Sequence, residues 1–269
     1  MSSSSDSALR RHLAALGLPP GLLSAVRREH AACHSQLWLL DNSSGMRARD
    51  AHVIRDARAR RATTDVRGVA GAGAGARPPE RKDAVRRWDE LRECVAWHAR
   101  AAGALRLPSK YLLLNRSVDG PGGGGDDYQF TVRWGHDAGA GVARDLDRLS
   151  RALADAALEE RTCPLAARLR SLAKLVRRDA PALEERDARV TVVVCTQGRP
   201  TGKDGRYGRD VQKEFQKELG ELLKLPVKLI FRVCSDDDNV LDMYNSLDLA
   251  MGESIDVLDD FLGEVSEML

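Results

Sequence analysis

The chain has no surplus of charge of either sign. Over 269 residues, 42 basic side chains face 40 acidic ones, a formal net charge of +2. That balance excludes a generic nucleic-acid or membrane-surface protein, which needs an excess of cations to meet phosphates. Long hydrophobic runs are missing too: none approaches the roughly 18–20 residues of a membrane span. Met1 to Arg11 is Ser-rich and then basic, without the apolar core of about 7–15 residues that marks a secretory signal. Cysteine is sparse and odd in number, five residues whose spacings repeat nothing. No disulfide framework is indicated, and the expectation is reduced thiols in a cytoplasmic protein. Lysine is also rare, 8 against 34 arginines, a bias of codon usage that carries no chemistry. There is no internal repeat.

What is present suits one large domain. A chain this long buries about three-quarters of its unfolded surface and needs no disulfides to be stable. The neutral total conceals an asymmetry. Residues 1–110 hold 20 basic and 11 acidic groups, and residues 111–269 hold 22 and 29. From Ser235 to Leu269 there are eleven carboxylates and no Lys or Arg.

The apolar patterns alternate between two periods. Gln36 to Leu40, Lys110 to Asn115, Arg189 to Thr196 and Val227 to Val233 are short apolar runs that close on a polar or turn residue, as buried parallel strands do. Tyr128 to Trp134 alternates instead and reads as an antiparallel edge strand. Between them lie helical periods: one helix over about 86–103, one from Pro164 to about Arg178, one through Val211, Phe215, Leu219 and Leu222, and one through Val240 and Tyr244. Strands alternating with helices give an α/β fold, a Rossmann-like three-layer sandwich on a mainly parallel sheet. No clear sixth strand is legible, and the late carboxylates fall on closing helices. Residues 1–34 read as an N-terminal tail with short helices, and 35–269 as the domain. An Arg/Ala-rich insertion at 47–85 and the Gly120 to Asp127 loop stand outside the core.

In such sheets ligands bind beyond the carboxyl ends of the strands. The residues there are Asp41-Asn42-Ser43-Ser44-Gly45, Thr162-Cys163 before Pro164, Thr196-Gln197-Gly198-Arg199 and Ser235-Asp236-Asp237-Asp238. LWLLDNSSGM, RTCPL and VVVCTQGRPT in this order resemble the three loops of a von Willebrand factor A-type domain. RWDELRECVAWHARAAGAL, YLLLNR, LPVKLIFRVCSDDDNVLDMYNSLD and IDVLDDFLGEVSEM are similar to segments of a cytosolic fungal, algal and protist group of that family. The resemblance runs from about Gln36 to the C-terminus, apart from the insertion. It implies a non-enzymatic protein-interaction module with a metal-ion-dependent adhesion site. There a hard cation, usually Mg²⁺, is held by oxygens of three loops and completed by a partner's acidic side chain.

Carried over residue by residue, the resemblance makes Asp41 and Ser43 ligands. Gly45 stands in the second serine's place, with Ser44 one residue early. Cys163 stands in the threonine's place, with Thr162 one residue early, and Gln197 replaces the aspartate. The candidate ligand set is therefore Asp41, Ser43, Ser44, Thr162 and Gln197, a degraded site short of one carboxylate. Ser44 and Thr162 restore two hydroxyls only if their loops slip by one residue. Arg199, Lys203 and Arg206 offer a metal-free way to meet an acidic partner. The competing class is a hydrolase or a nucleotide- or phosphate-binding protein that uses Asp41 as nucleophile or metal ligand.

Other constellations are weaker. Gly120, Gly122 and Gly125 satisfy G-x-G-x-x-G but precede a strand and not a helix, so no phosphate cradle forms. Asp236, Asp237 and Asp238 suit helix capping. His30, Cys33 and His34, and separately Cys94 and His98, have spacings that could bind zinc, but no second matched pair completes four ligands. Trp88 and Trp97 belong to the core or its rim. Neither nucleic acid nor membrane is an expected partner, and the sequence leaves the oligomeric state open.

Overall fold

The computed structural model describes residues 11, 14, 15, 32–51, 85–115, 129–132, 140–251 and 255–258. Most of the expected tail (1–34), most of the insertion (47–85) and the Gly120 to Asp127 loop lie outside them. Six strands form one sheet: β1 (Cys33–Leu40), β2 (Ser109–Leu113), β3 (Gln129–Val132), β4 (Arg189–Thr196), β5 (Val227–Val233) and β6 (Ile255–Leu258). Their spatial order is β3-β2-β1-β4-β5-β6. All neighbours are parallel except β2 and β3. The helices are α1 (Arg87–Ala104), α2 (Ala140–Ala154), α3 (Leu165–Glu184), α4 (Arg209–Leu223) and α5 (Asp238–Met251). This is the expected α/β class, with one antiparallel edge strand on a mainly parallel sheet.

The strands are mainly apolar in their central residues because both faces of the sheet are covered. On one face Leu37 and Leu39, Val190, Val192 and Val194, and Leu229 and Phe231 pack against Leu169, Leu172 and Val176 of α3, Phe215 and Leu219 of α4, and Tyr244 of α5. On the other, Trp38, Leu40, Tyr111, Val193 and Cys195 pack against Trp88, Leu91 and Val95 of α1 and Leu149 and Leu153 of α2. Period-two strands therefore hand alternate side chains to two separate cores, which makes three layers. Each fully buried Leu, Val or Phe contributes roughly 1.5–3 kcal/mol.

Three elements depart from the sequence reading. A sixth strand does exist: Ile255–Leu258 runs parallel to β5 with Ile255 opposite Leu229. Its second residue is charged, and Asp256 is compensated across the strands by Lys228, 2.9 Å away. Helix α2 was not anticipated either, although Val142, Leu146, Leu149 and Leu153 lie at helical spacing. Helix α3 continues six residues beyond Arg178 to Glu184 and holds Pro181 in its last turn, where the ring removes one N–H from the intrahelical ladder. No helix among the described residues is long and apolar enough to cross a membrane.

The strand order reverses direction between β1 and β4, so the connections leaving these two strands run to opposite faces and open a crevice at their carboxyl ends. The register is tight there. Leu40 lies opposite Cys195, the Asp41 N–H donates to Cys195 O at 2.9 Å, and the Leu114 N–H donates to Leu40 O at 2.7 Å.

Candidate functional site

Asp41, the first residue beyond β1, is completely buried. Its Oδ1 accepts the Ser43 N–H at 2.8 Å. Its Oδ2 accepts the Gln197 N–H at 3.2 Å, the Thr196 hydroxyl at 3.2 Å and the Cys163 thiol at 3.9 Å. Burial pushes the carboxyl upward from its ordinary range, and the bonds from Ser43, Gln197 and Thr196 pull it back in part. The Cys163 thiol is pushed well up by its own burial and then by the Asp41 charge. It therefore remains a protonated donor to Asp41.

The neighbouring polar residues form a second knot. Asn42 Nδ2 donates to Asn115 O at 3.2 Å and to Ala157 O at 3.1 Å, and Asn42 Oδ1 accepts the Asn115 N–H at 2.7 Å. Asn115 Nδ2 donates to Thr162 O at 2.9 Å, and the Thr162 hydroxyl donates to Asn115 Oδ1 at 3.1 Å. Thr201 closes the loop before α3 from the other side: its hydroxyl accepts the Cys163 N–H at 2.7 Å, and its N–H donates to Cys163 O at 2.8 Å. These bonds satisfy buried loop backbone that no strand or helix partners.

The structure thus brings Asp41, Ser43 and Gln197 together. Gln197 Nε2 donates to Ser43 Oγ at 3.2 Å. Thr162 turns its hydroxyl to Asn115, and it is Cys163 that reaches Asp41. Ser44 anchors its loop through its backbone, its N–H donating to Glu160 O at 2.7 Å. It is Gly45, not Ser44, that lies against the Gln197 carboxamide, closely enough that an added Cβ would sit 2.4 Å from three of its atoms. In neither loop does a one-residue slip occur.

Sequence reasoning missed Arg87, the first residue of α1. Its Nη1 donates to Gln197 Oε1 at 3.3 Å, and its Nε donates to Asp50 Oδ1 at 2.6 Å, with Nη2 on the other Asp50 oxygen. Its backbone N–H donates to Ala48 O at 3.0 Å. Ala51 and Val85, at the two ends of the expected insertion, form an isolated antiparallel bridge. The segment carrying Asp50 is thereby held beside the start of α1.

The Asp236 to Asp238 run behaves as a helix cap. Asp237 Oδ1 accepts both the N–H and the side-chain amide of Asn239, at 2.9 and 3.1 Å, which holds its carboxyl below the usual range. Among the described residues no three His, Cys, Asp or Glu side chains gather as a metal cluster. Cys94 and His98 sit on α1 against the sheet, and burial followed by the Arg232 charge lowers His98 to about 4. Trp88 is buried, and its Nε1 donates to Leu153 O at 3.0 Å. A rim surrounds the loops. Arg199 stacks over the Tyr207 ring at 5.1 Å, Tyr207 is 39% exposed, and Lys203 and Arg206 face solvent.

No protein-family model matches the chain, and no curated protein matches it. Among solved structures, proximal thread matrix protein 1 from the mussel byssus, in its crystal form 2, is similar at 10% sequence identity with a TM-score of 0.41. The match covers 88% of this chain and 46% of that one, so this chain spans less than half of that protein's length.

Proposed function

We propose that the chain is a non-enzymatic protein-binding module of von Willebrand factor A type, whose contact surface is the loop cluster beyond β1 and β4. The observation that carries this reading is the state of Asp41. This carboxylate at the crevice floor is fully buried, and both of its oxygens accept hydrogen bonds from the loops themselves. A nucleophile must reach its substrate, and a general base must meet a proton within hydrogen-bond reach. Asp41 instead holds three loops in fixed relation, the part of a scaffold that presents a surface. This favours binding over the hydrolase alternative.

The partner's chemistry follows from the rim. Arg199, Lys203, Arg206 and the half-exposed Tyr207 suit an acidic protein surface, since a planar aromatic and guanidinium groups are the side chains that most often carry binding energy. The test is affinity capture with wild type beside the triple variant Arg199→Glu, Lys203→Glu, Arg206→Glu, at rising ionic strength. Partners held by wild type should be lost with the triple variant and weakened by salt. Equal capture by both, or phosphate-ester turnover that disappears in Asp41→Ala, would contradict the reading.

A further inference from the structure

We infer that Gly45, Gln197 and Arg87 form one built closure, in which a guanidinium anchored on Asp50 fixes the Gln197 carboxamide against Ser43, so that the loops take no divalent cation. Three independent features carry this. The first is steric. The Gln197 side chain occupies the space that any β-carbon at position 45 would need, since such an atom would stand 2.4 Å from the carboxamide carbon, nitrogen and oxygen. The side-chain atom missing at one position is therefore matched by a longer side chain at the other.

The second is the direction of the hydrogen bonds. Arg87 Nη1 donates to Gln197 Oε1 at 3.3 Å, and Gln197 Nε2 donates on to Ser43 Oγ at 3.2 Å. The carboxamide is oriented by a cation on one side and spends its amide on Ser43 on the other. Ser43 Oγ thereby spends one of its two lone pairs on a protein donor. The third is donor chemistry. The Asp41 Oδ2 lone pairs go to Gln197, Thr196 and Cys163, the Thr162 hydroxyl goes to Asn115, and the loop-two residue facing Asp41 is a thiol, a soft group that hard cations avoid.

Arg87 is forked onto Asp50 while it reaches Gln197, so the guanidinium that orients the carboxamide is itself held in place by a counter-ion.

A double-substitution cycle tests the matched pair. Gly45→Ala alone should lower the melting temperature by several degrees, because the carboxamide must leave its two partners. In a Gln197→Ala background, which removes the obstructing atoms, the same substitution should cost less than half as much. Equal costs in the two backgrounds would overturn the steric pairing. The unmodified protein supplies the second arm, which needs no variant to fold. Mn²⁺ is titrated and free ion is followed by electron paramagnetic resonance. The free signal should grow as it does in buffer, whereas saturable depletion at one ion per chain would overturn the closure.

Discussion

The two cores on either side of the sheet are built from different chemistry. Beneath α3, α4 and α5 the packing is aliphatic and aromatic, from Leu169 and Leu172 to Phe215, Phe231 and Tyr244. Beneath α1 and α2 the same strands meet Trp38, Tyr111, Cys195 and, at the β5 side, Arg232, whose guanidinium pairs with Glu90 of α1 at 2.9 Å. The His98 ring lies tilted by 48° against Trp38, 5.0 Å between centroids. The first core is the drier and owes its strength to volume. The second holds titratable groups in place, and Arg87, which reaches the crevice, leaves from the same helix. One layer fixes the fold, and the other fixes both the fold and the site.

The largest effect should come from the aliphatic side. Leu169 is completely buried between α3 and the sheet, and Leu169→Ala should cost about 2–5 kcal/mol in denaturant unfolding. Its cost should be the same at neutral and mildly acidic pH, since no proton is involved.

The α1 side should respond to pH. His98 is held neutral, with its folded value lowered to about 4 from 6.5. A lowered value for a base means that the unfolded chain binds the extra proton first. Stability is then complete above pH 6.5 and is lost as pH falls toward about 4, by about 1–3 kcal/mol. His98→Leu should flatten that limb in thermal melts across the range. An equally steep limb in the variant would assign the acid response elsewhere. Asp41 has the opposite sign. Its carboxyl is raised by burial, so its contribution is present at low pH and lost as pH rises through the raised value.

A smaller effect separates pairing from packing. Glu90→Gln leaves the Arg232 guanidinium, 18% exposed, without its carboxylate and should cost about 1–3 kcal/mol. The exposed α2 pair Arg151 and Asp147, at 71% and 66% exposure, should contribute less than about 0.5 kcal/mol when Asp147→Ala is measured the same way. Similar costs for the two pairs would erase the distinction between the α1 interior and the surface.

The contrast also explains what the sequence disclosed. Strands β4 and β5 are legible to the residue because β-branched and apolar residues dominate both and turn residues flank them. β6 is hidden by its brevity and by Asp256, a half-exposed charge that pairs across the strands with Lys228. Helix α2 carries a readable apolar spacing, but it opens on Ala140 and Gly141, the end of an alternating Gly and Ala stretch that resembles a loop. At the site Asp41, Ser43 and Gln197 stand at strand ends, where position alone marks them. Arg87 could not be found that way: it meets Gln197 across 110 positions and begins an otherwise ordinary amphipathic helix. Likewise, the Gly45 position reads as a loss of a hydroxyl until the Gln197 side chain is seen filling the space.

The most direct test of a metal-free crevice is linkage to stability in the unaltered protein. Any ion bound by the folded chain alone raises the melting temperature as its concentration passes its dissociation constant. Melts in chelator and in increasing Mg²⁺, at constant ionic strength, should superimpose. A progressive, saturating rise with Mg²⁺ that Asp41→Asn abolishes would contradict the closure by Arg87 and Gln197.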